Sequence, residues 1–265
     1  MKLSEFWMRS AKVNVGGKSL EYPTYTLEFD LPFDTDDQPN QGEVAIYNLS
    51  SDTISSIAKG SGITISAGYR GDTGTVFIGT VEKISTEWQQ VDKVLKLQLG
   101  DASPEWRNKI INKAYGPGTP ASAIVADMLG ILGLEVGSMD LPEDKVYING
   151  RTISTKVEIG LRELCNDCGA KFHIANNIVY ISPYPQGIAT GFVLSADTGL
   201  LESPQKQEQE EGQDGYLVRS LLNHRIHADS YVTIQSRTAN GWFRVVKGKH
   251  IGGSDWVTEM EVVPA

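Results

Sequence analysis

The stretch from residue 43 to 101, EVAIYNLSSDTISSIAKGSGITISAGYRGDTGTVFIGTVEKISTEWQQVDKVLKLQLGD, limits the possible folds more than any other part of this chain. In its last segment, 92–100, Val94, Leu95, Leu97 and Leu99 alternate almost without a break with Lys93, Lys96 and Gln98. Strand side chains point to opposite faces with period two, so this pattern gives one buried face and one wet face. Strand-like segments also fall at 43–48, 62–69 and 74–85, divided by the turn formers Gly60-Ser61-Gly62 and Gly71-Asp72-Thr73-Gly74. A short polar helix-like piece, Ser51 to Lys59, is inserted after Asn48-Leu49-Ser50. Upstream, Val13, Val15, Leu27, Phe29 and Leu31 mark two strands within 12–31, with Gly16-Gly17 as the turn between them, and 33–42 reads as a polar loop. Six strands with turns between them predict an antiparallel barrel or sandwich. Closure would remove the exposed edges of such a sheet.

The middle of the chain is of another kind. Thr119-Pro120 predicts a helix start with Pro at its first position; Ala123, Ile124, Met128, Ile131 and Leu132 recur at helical spacing, and Gly133 ends the run. A second helix is predicted to open at Thr155, with Glu158 completing a capping box and Gly169 as the stop. Lys171–Ala175 and Ile178–Ser182 predict a hairpin across Asn176-Asn177. Pro183-Tyr184-Pro185-Gln186-Gly187 reads as a linker. Strands return near 190–195, 216–222, 231–236, 242–250 and 256–263. Residues 205–215, QKQEQEEGQDG, hold no apolar side chain and read as a mobile loop or polar hairpin tip, and the loop 203–215 is expected to order on assembly. The expected fold is mainly β with an α+β insert: a β-domain at 1–110, a small α+β domain at 111–186 and a second β-domain at 187–265. The two β-domains share no repeat in sequence.

Composition narrows the function. The formal net charge is −9, which opposes a dedicated nucleic-acid binder, since that needs a basic footprint. It suits general solubility, and an acidic lumen that DNA slides past without sticking is a second use of it. No run of about 18 apolar residues is present, so no membrane helix is expected, and MKLSEFWMRSAKV lacks the pattern of a secretory signal. Two cysteines make no disulfide framework and fit synthesis in a reducing cytoplasm.

Candidate chemistry is thin. Cys165-Asn166-Asp167-Cys168 is a CxxC, but a zinc site needs four ligands, and cysteines three apart on an apolar helix face read as packing. His173, His224, His227 and His250 are the histidines; His224-Arg225-Ile226-His227 has the look of a ligand pair without an acidic third ligand beside it. Acid pairs such as Asp36-Asp37, Glu210-Glu211 and Glu202 with Asp197 lie in loops and read as solvated rather than as the two carboxylates of a glycosidase. Tyr69, Phe77, Trp88, Trp106, Trp242, Phe243 and Trp256 lie in or beside strands and read as core or interface. Trp7, with Phe6 and Met8, is either an anchor into a neighbouring subunit or a tucked end. No catalytic, cofactor-binding or metal-binding residue is assigned, and no cofactor.

The order YNLS, then KG, then ITISAGY, then TGTVFIGTV, closing at Asp101, resembles the baseplate hub proteins of phage tails, in the late-control and tail-hub family. About 60 residues carry the resemblance, with a weaker echo at 155–182. It implies two tube-type antiparallel β-barrel domains flanking the insert. It also implies a non-enzymatic virion protein, assembled in the host cytoplasm, whose homotrimer presents six barrels to the hexameric tail tube. The implied partners are the tube protein, the trimeric spike, and baseplate wedge or tape-measure proteins, with DNA passing through the ring. Other readings are a hexameric distal-tail or tube-initiator protein, a tail-tip cell-wall hydrolase, and a carbohydrate-binding module with Trp88 and Trp242 as its platform.

Overall fold

A computed structural model of the chain describes residues 7–34, 40–100, 109–133, 135–175, 178–183, 188–208 and 214–265. In chain order the strands are β1 Arg9–Val15, β2 Lys18–Glu21, β3 Leu27–Asp34, β4 Gln41–Tyr47, β5 Gly62–Tyr69, β6 Asp72–Gln89, β7 Asp92–Gly100, β8 Ile110–Tyr115, β9 Thr119–Pro120 and β10 Glu135–Met139. Then come β11 Val146–Tyr147, β12 Arg151–Lys156, β13 Ala170–Ala175, β14 Ile178–Pro183, β15 Ile188–Leu194, β16 Gln205–Glu208, β17 Asp214–Leu221, β18 Ser230–Gln235, β19 Asn240–Gly252 and β20 Trp256–Pro264. The helices are α1 Ser51–Ser55, α2 Ala121–Leu132 and α3 Val157–Asp167.

The chain is mainly β and divides into two compact units. The first joins the described residues of 1–35, 40–100 and 187–265; the second holds those of 101–186. The first unit is one sheet, ordered β16-β17-β20-β19-β3-β4-β7-β6-β5-β1-β2, with β18 added beside β19 and β15 beside β18. Among the described residues no pairing closes this sheet into a barrel, and its ordered path ends at β2 and β16. It is also not wholly antiparallel: β15, re-entering after the insert, runs parallel to β18.

The sheet contains one strand order twice. The first half reads β3-β4-β7-β6-β5-β1 and the second β16-β17-β20-β19-β18-β15. Each half has its own core. Val13, Ile46, Ile65, Leu95, Leu97 and Leu99 centre the first, and Val218, Val232, Ile234, Val245 and Val262 the second. The long strands β6 and β19 correspond in detail. Each pairs first with the strand before it, then runs on against the strand after it, with a bulge between Val81 and Lys83 in one and between Val245 and Lys247 in the other. The halves meet where β3 pairs antiparallel with Lys247–Gly252 of β19.

Local chemistry explains most elements. Gly16 and Gly17, both at positive φ, form the two-residue turn between β1 and β2, so 12–31 contributes three strands rather than the expected two. Ser50 caps α1 by accepting the Thr53 N–H at 3.2 Å. In the second unit, α2 ends at left-handed Gly133 as expected, but Pro120 is its N-cap rather than its first helical residue. The capping box expected at Thr155 is absent. Thr155 lies in β12 opposite Ile111 of β8, and α3 starts at Val157 with no side-chain cap. Strand pairing has overridden the local signal there. Helices α2 and α3 and the sheet β10-β14-β13 bury Ile124, Met128, Leu161, Leu164, Val179 and Ile181 in a third core.

Candidate interaction surfaces

The first unit carries a polar face opposite its core. Arg219 of β17 lies 3.1 Å from Glu259 of β20, Glu259 lies 3.9 Å from Lys249 of β19, and Lys249 lies 3.1 Å from Asp30 of β3. Lys247 meets Glu261 at 3.2 Å, Tyr47 donates to Glu28 at 3.0 Å, and Lys96 of β7 meets Glu87 of β6 at 2.6 Å. Charges of both signs therefore interleave from β17 across the junction to β6. Exposed pairs of this kind add little to stability, so the face is shaped for water.

The second surface is the β6–β7 ribbon. Beyond Val81, which still bonds Gly60 and Ser61, the only strand pairing of β6 among the described residues is with β7. Side chains on both faces of 85–90 are exposed, and Trp88 (70%) and Val91 (84%) sit at the tip. A two-stranded ribbon is marginal by itself in water, and its outer edge is a row of unpaired backbone groups. Trp242, 62% exposed, lies at the start of β19. The register from β19 through β3, β4 and β7 to β6 puts Trp242 and Trp88 at opposite ends of the sheet. They cannot form one sugar-stacking platform.

The sequence candidates are dispersed. His224 and His227 part company. His224 turns to Asp72, 3.1 Å away, where Arg225 also forms a two-pronged bond at 2.6 and 2.9 Å. These bonds, Arg225 foremost, hold the Asp72 carboxyl down to about 2. His227, half-buried, packs against His250 and Phe33, with ring centroids 6.1 and 6.5 Å away. Burial pushes His250 down to about 3 and keeps it neutral; its Nδ1 bonds the Thr258 hydroxyl at 2.9 Å. Cys165 and Cys168 are free and buried in the third core; burial raises both thiols, Cys165 to about 12. Thiolate chemistry is suppressed at both. Asp197 and Glu202 are exposed. Tyr69, Phe77, Phe243 and Trp256 are core residues. Phe6, Asp36, Asp37, Trp106, Glu210, Glu211 and the 209–213 part of the polar loop lie outside the described residues, as does the side chain of His173.

The second unit holds a repeated clamp that sequence reasoning missed. Lys113 and Tyr115 both bond Asp127 of α2, at 2.8 and 2.7 Å. Lys145 and Tyr147 both bond Asp167 of α3, at 3.0 and 2.8 Å. Each is a Lys-x-Tyr pair gripping one helical carboxylate. The paired Lys-x-Tyr spacing was the available signal.

No family model matches the chain, and no curated protein sequence is similar to it. Solved structures are similar in fold. A 43 kDa tail protein of prophage MuSo2 from Shewanella oneidensis superposes with a TM-score of 0.71 at 9% identity, over 97% of this chain and 98% of that one. A tail protein from Neisseria meningitidis gives 0.67 at 10% identity, over 97% of each chain. An Escherichia coli component of the type VI secretion system, itself similar in structure to the T4 bacteriophage tail proteins gp27 and gp5, gives 0.66 at 10% identity, over 96% of this chain and 76% of that one. The fold is thus that of phage tail proteins and their secretion-system counterparts.

Proposed function

We propose that this chain is a structural hub subunit of a phage or phage-like tail, without catalytic turnover. The carrying observation is the doubled strand order inside one chain whose fold matches tail proteins from end to end. A chain with two β-modules of one strand order, 1–110 and 187–265, whose end strands differ in direction, lets three copies present six modules, which adapts a hexameric tube to a threefold spike. The modules stand where the resemblance implies tube-type barrels, although among the described residues they are parts of one open sheet, and the 111–186 insert faces baseplate partners. The polar face with its interleaved charges forms the channel wall. With acids balancing bases along it, phosphate is neither concentrated nor strongly repelled, so DNA passes without a binding step.

Light scattering on the purified chain, alone and with its spike, tests this. A trimer of about 87 kDa, three times 29.0 kDa, supports the hub. A hexamer replaces it with a distal-tail or tube-initiator protein, and a monomer that ignores the spike overturns it.

A further inference from the structure

We propose that the second half of the first unit carries a binding cleft for a neutral oligosaccharide, between the segment 196–203 and the tip of the β18–β19 hairpin, with Trp242 as its stacking ring. The site goes beyond the hub reading and takes nothing from it.

Two exposed side chains mark the place. Among the described residues of 187–265, Leu201 (47%) and Trp242 (62%) are the exposed large hydrophobic residues. Leu201 lines a cleft of about 840 Å³, bordered also by Leu200, Glu202, Gln235, Arg237 and Asn240. That volume lies within the range of about 300–1,000 Å³ usual for small-molecule sites. Trp242 flanks the cleft. Gln235 pairs with Asn240 and Thr233 with Trp242, so Asn240 and Trp242 stand two residues and about 7 Å apart on one face of β19. Tyr231 backs the Trp242 ring, with centroids 6.5 Å apart.

The walls are set before any ligand arrives. Ser195 and Thr198 close a capping box around the 3₁₀ turn Ala196–Thr198. The chain beyond it is held to β17: the Leu201 N–H donates to the Arg219 carbonyl at 3.0 Å, and the Leu221 N–H to the Gly199 carbonyl at 2.7 Å. Opposite, the Ser236 N–H donates to the Ala239 carbonyl at 3.0 Å and closes the hairpin tip. The Thr238 hydroxyl donates to the Pro204 carbonyl at 2.8 Å and ties one wall to the other. A cleft braced in this way loses little freedom on filling.

The chemistry of the lining selects the occupant. The side chains of Glu202, Gln235, Arg237 and Asn240 make no hydrogen bond or ion pair to any described residue. Amides donate and accept, the carboxylate accepts and the guanidinium donates, so together they match hydroxyl groups, which do both. One acid and one base balance, so the cleft selects neither an anion nor a cation. Leu200, Leu201 and the indole supply apolar surface for the C–H face of a sugar ring. A nucleic-acid strand would also stack on an indole, but it needs a basic groove that is missing here.

Isothermal titration of the full chain with cellotetraose, maltotetraose and chitotetraose, and with tetragalacturonate as the charged control, tests the cleft. Saturable binding of at least one neutral sugar is expected, with none of tetragalacturonate. Trp242→Ala and Asn240→Ala should each weaken that binding about tenfold or more. Trp88→Ala, at the other end of the sheet, should leave it unchanged. All three positions are exposed, so each variant should keep the circular dichroism of the unsubstituted chain. The change in tryptophan fluorescence on adding the sugar should persist in Trp88→Ala and vanish in Trp242→Ala. No saturable binding of any neutral sugar overturns the site, as does binding that Trp242→Ala and Asn240→Ala leave intact. Preference for tetragalacturonate over all three neutral sugars overturns the assignment of an uncharged ligand.

Discussion

At the scale of single residues, the Asp72 knot ties the β5–β6 turn to the turn after β17. Gly74 is part of it, since a Cβ there would collide with the His224 ring. Gly74→Ala is expected to displace His224 and lower the unfolding free energy. Asp72→Asn removes the charge from the Arg225 bonds, and because Arg225 is exposed the loss is at most about 1 kcal/mol, measurable by urea denaturation. The Asp72 carboxyl is depressed in the folded state, so its contribution is complete above its unfolded value near 3.8 and is lost as pH falls toward about 2. His250 acts at higher pH. It is depressed from 6.5 to about 3, so the unfolded chain binds its proton first. Stability therefore falls as pH drops from 6.5 toward 3, with half-buried His227 shifted in the same direction. The urea midpoint should drop between pH 7 and pH 4, and His250→Gln should flatten that slope while lowering the value at pH 7. None of this was legible in the sequence. His224-Arg225-Ile226-His227 shows four adjacent residues but not that Asp72, 152 positions away, meets the first.

At the scale of elements, legibility follows burial. Strands with one face on a core, such as β7, show period two and were readable. The outer half of β6 was read as ending at 85, because ISTEWQQ loses its alternation where the ribbon leaves the core. Strands β8 and β12 were not anticipated, since each gains its pairing from residues about 40 positions away. The ribbon supports a prediction of its own. Trp88 packs on little in the isolated chain, so Trp88→Ala should leave the thermal midpoint of the monomer unchanged while weakening self-association. An equal loss in both would show that the ribbon tip is structural. At the end of α3, the buried thiols of Cys165 and of the C-cap Cys168 should not react with a chromogenic disulfide until the chain unfolds, when both should titrate. Fast labelling of either in the native protein would contradict their burial.

At the scale of the whole molecule, the doubled strand order was invisible because corresponding positions do not share side chains. Counted along the strand pairings from the two bulges, where β3 carries Leu31 and Pro32, β16 carries Lys206 and Gln207, and where β19 has Gly252, β6 has Trp88. Strand order is fixed by hydrogen bonding and by which face is apolar, so two halves can keep one topology while their sequences diverge. The polar face yields the last prediction. If its interleaved charges form the channel wall, DNA should meet balanced charge across β17, β20, β19 and β3. Replacing Glu259 and Glu261 by Gln removes the acids facing Lys249, Lys247 and Arg219. The wall then shifts toward positive charge, although Asp30 still faces Lys249 and Asp255 still faces Arg219, and each added phosphate contact steepens the salt dependence of DNA binding. The unsubstituted chain should show negligible retention of double-stranded DNA at moderate salt, and the double variant salt-sensitive retention with its fold intact by circular dichroism. Retention by both proteins alike would place the DNA-facing surface elsewhere.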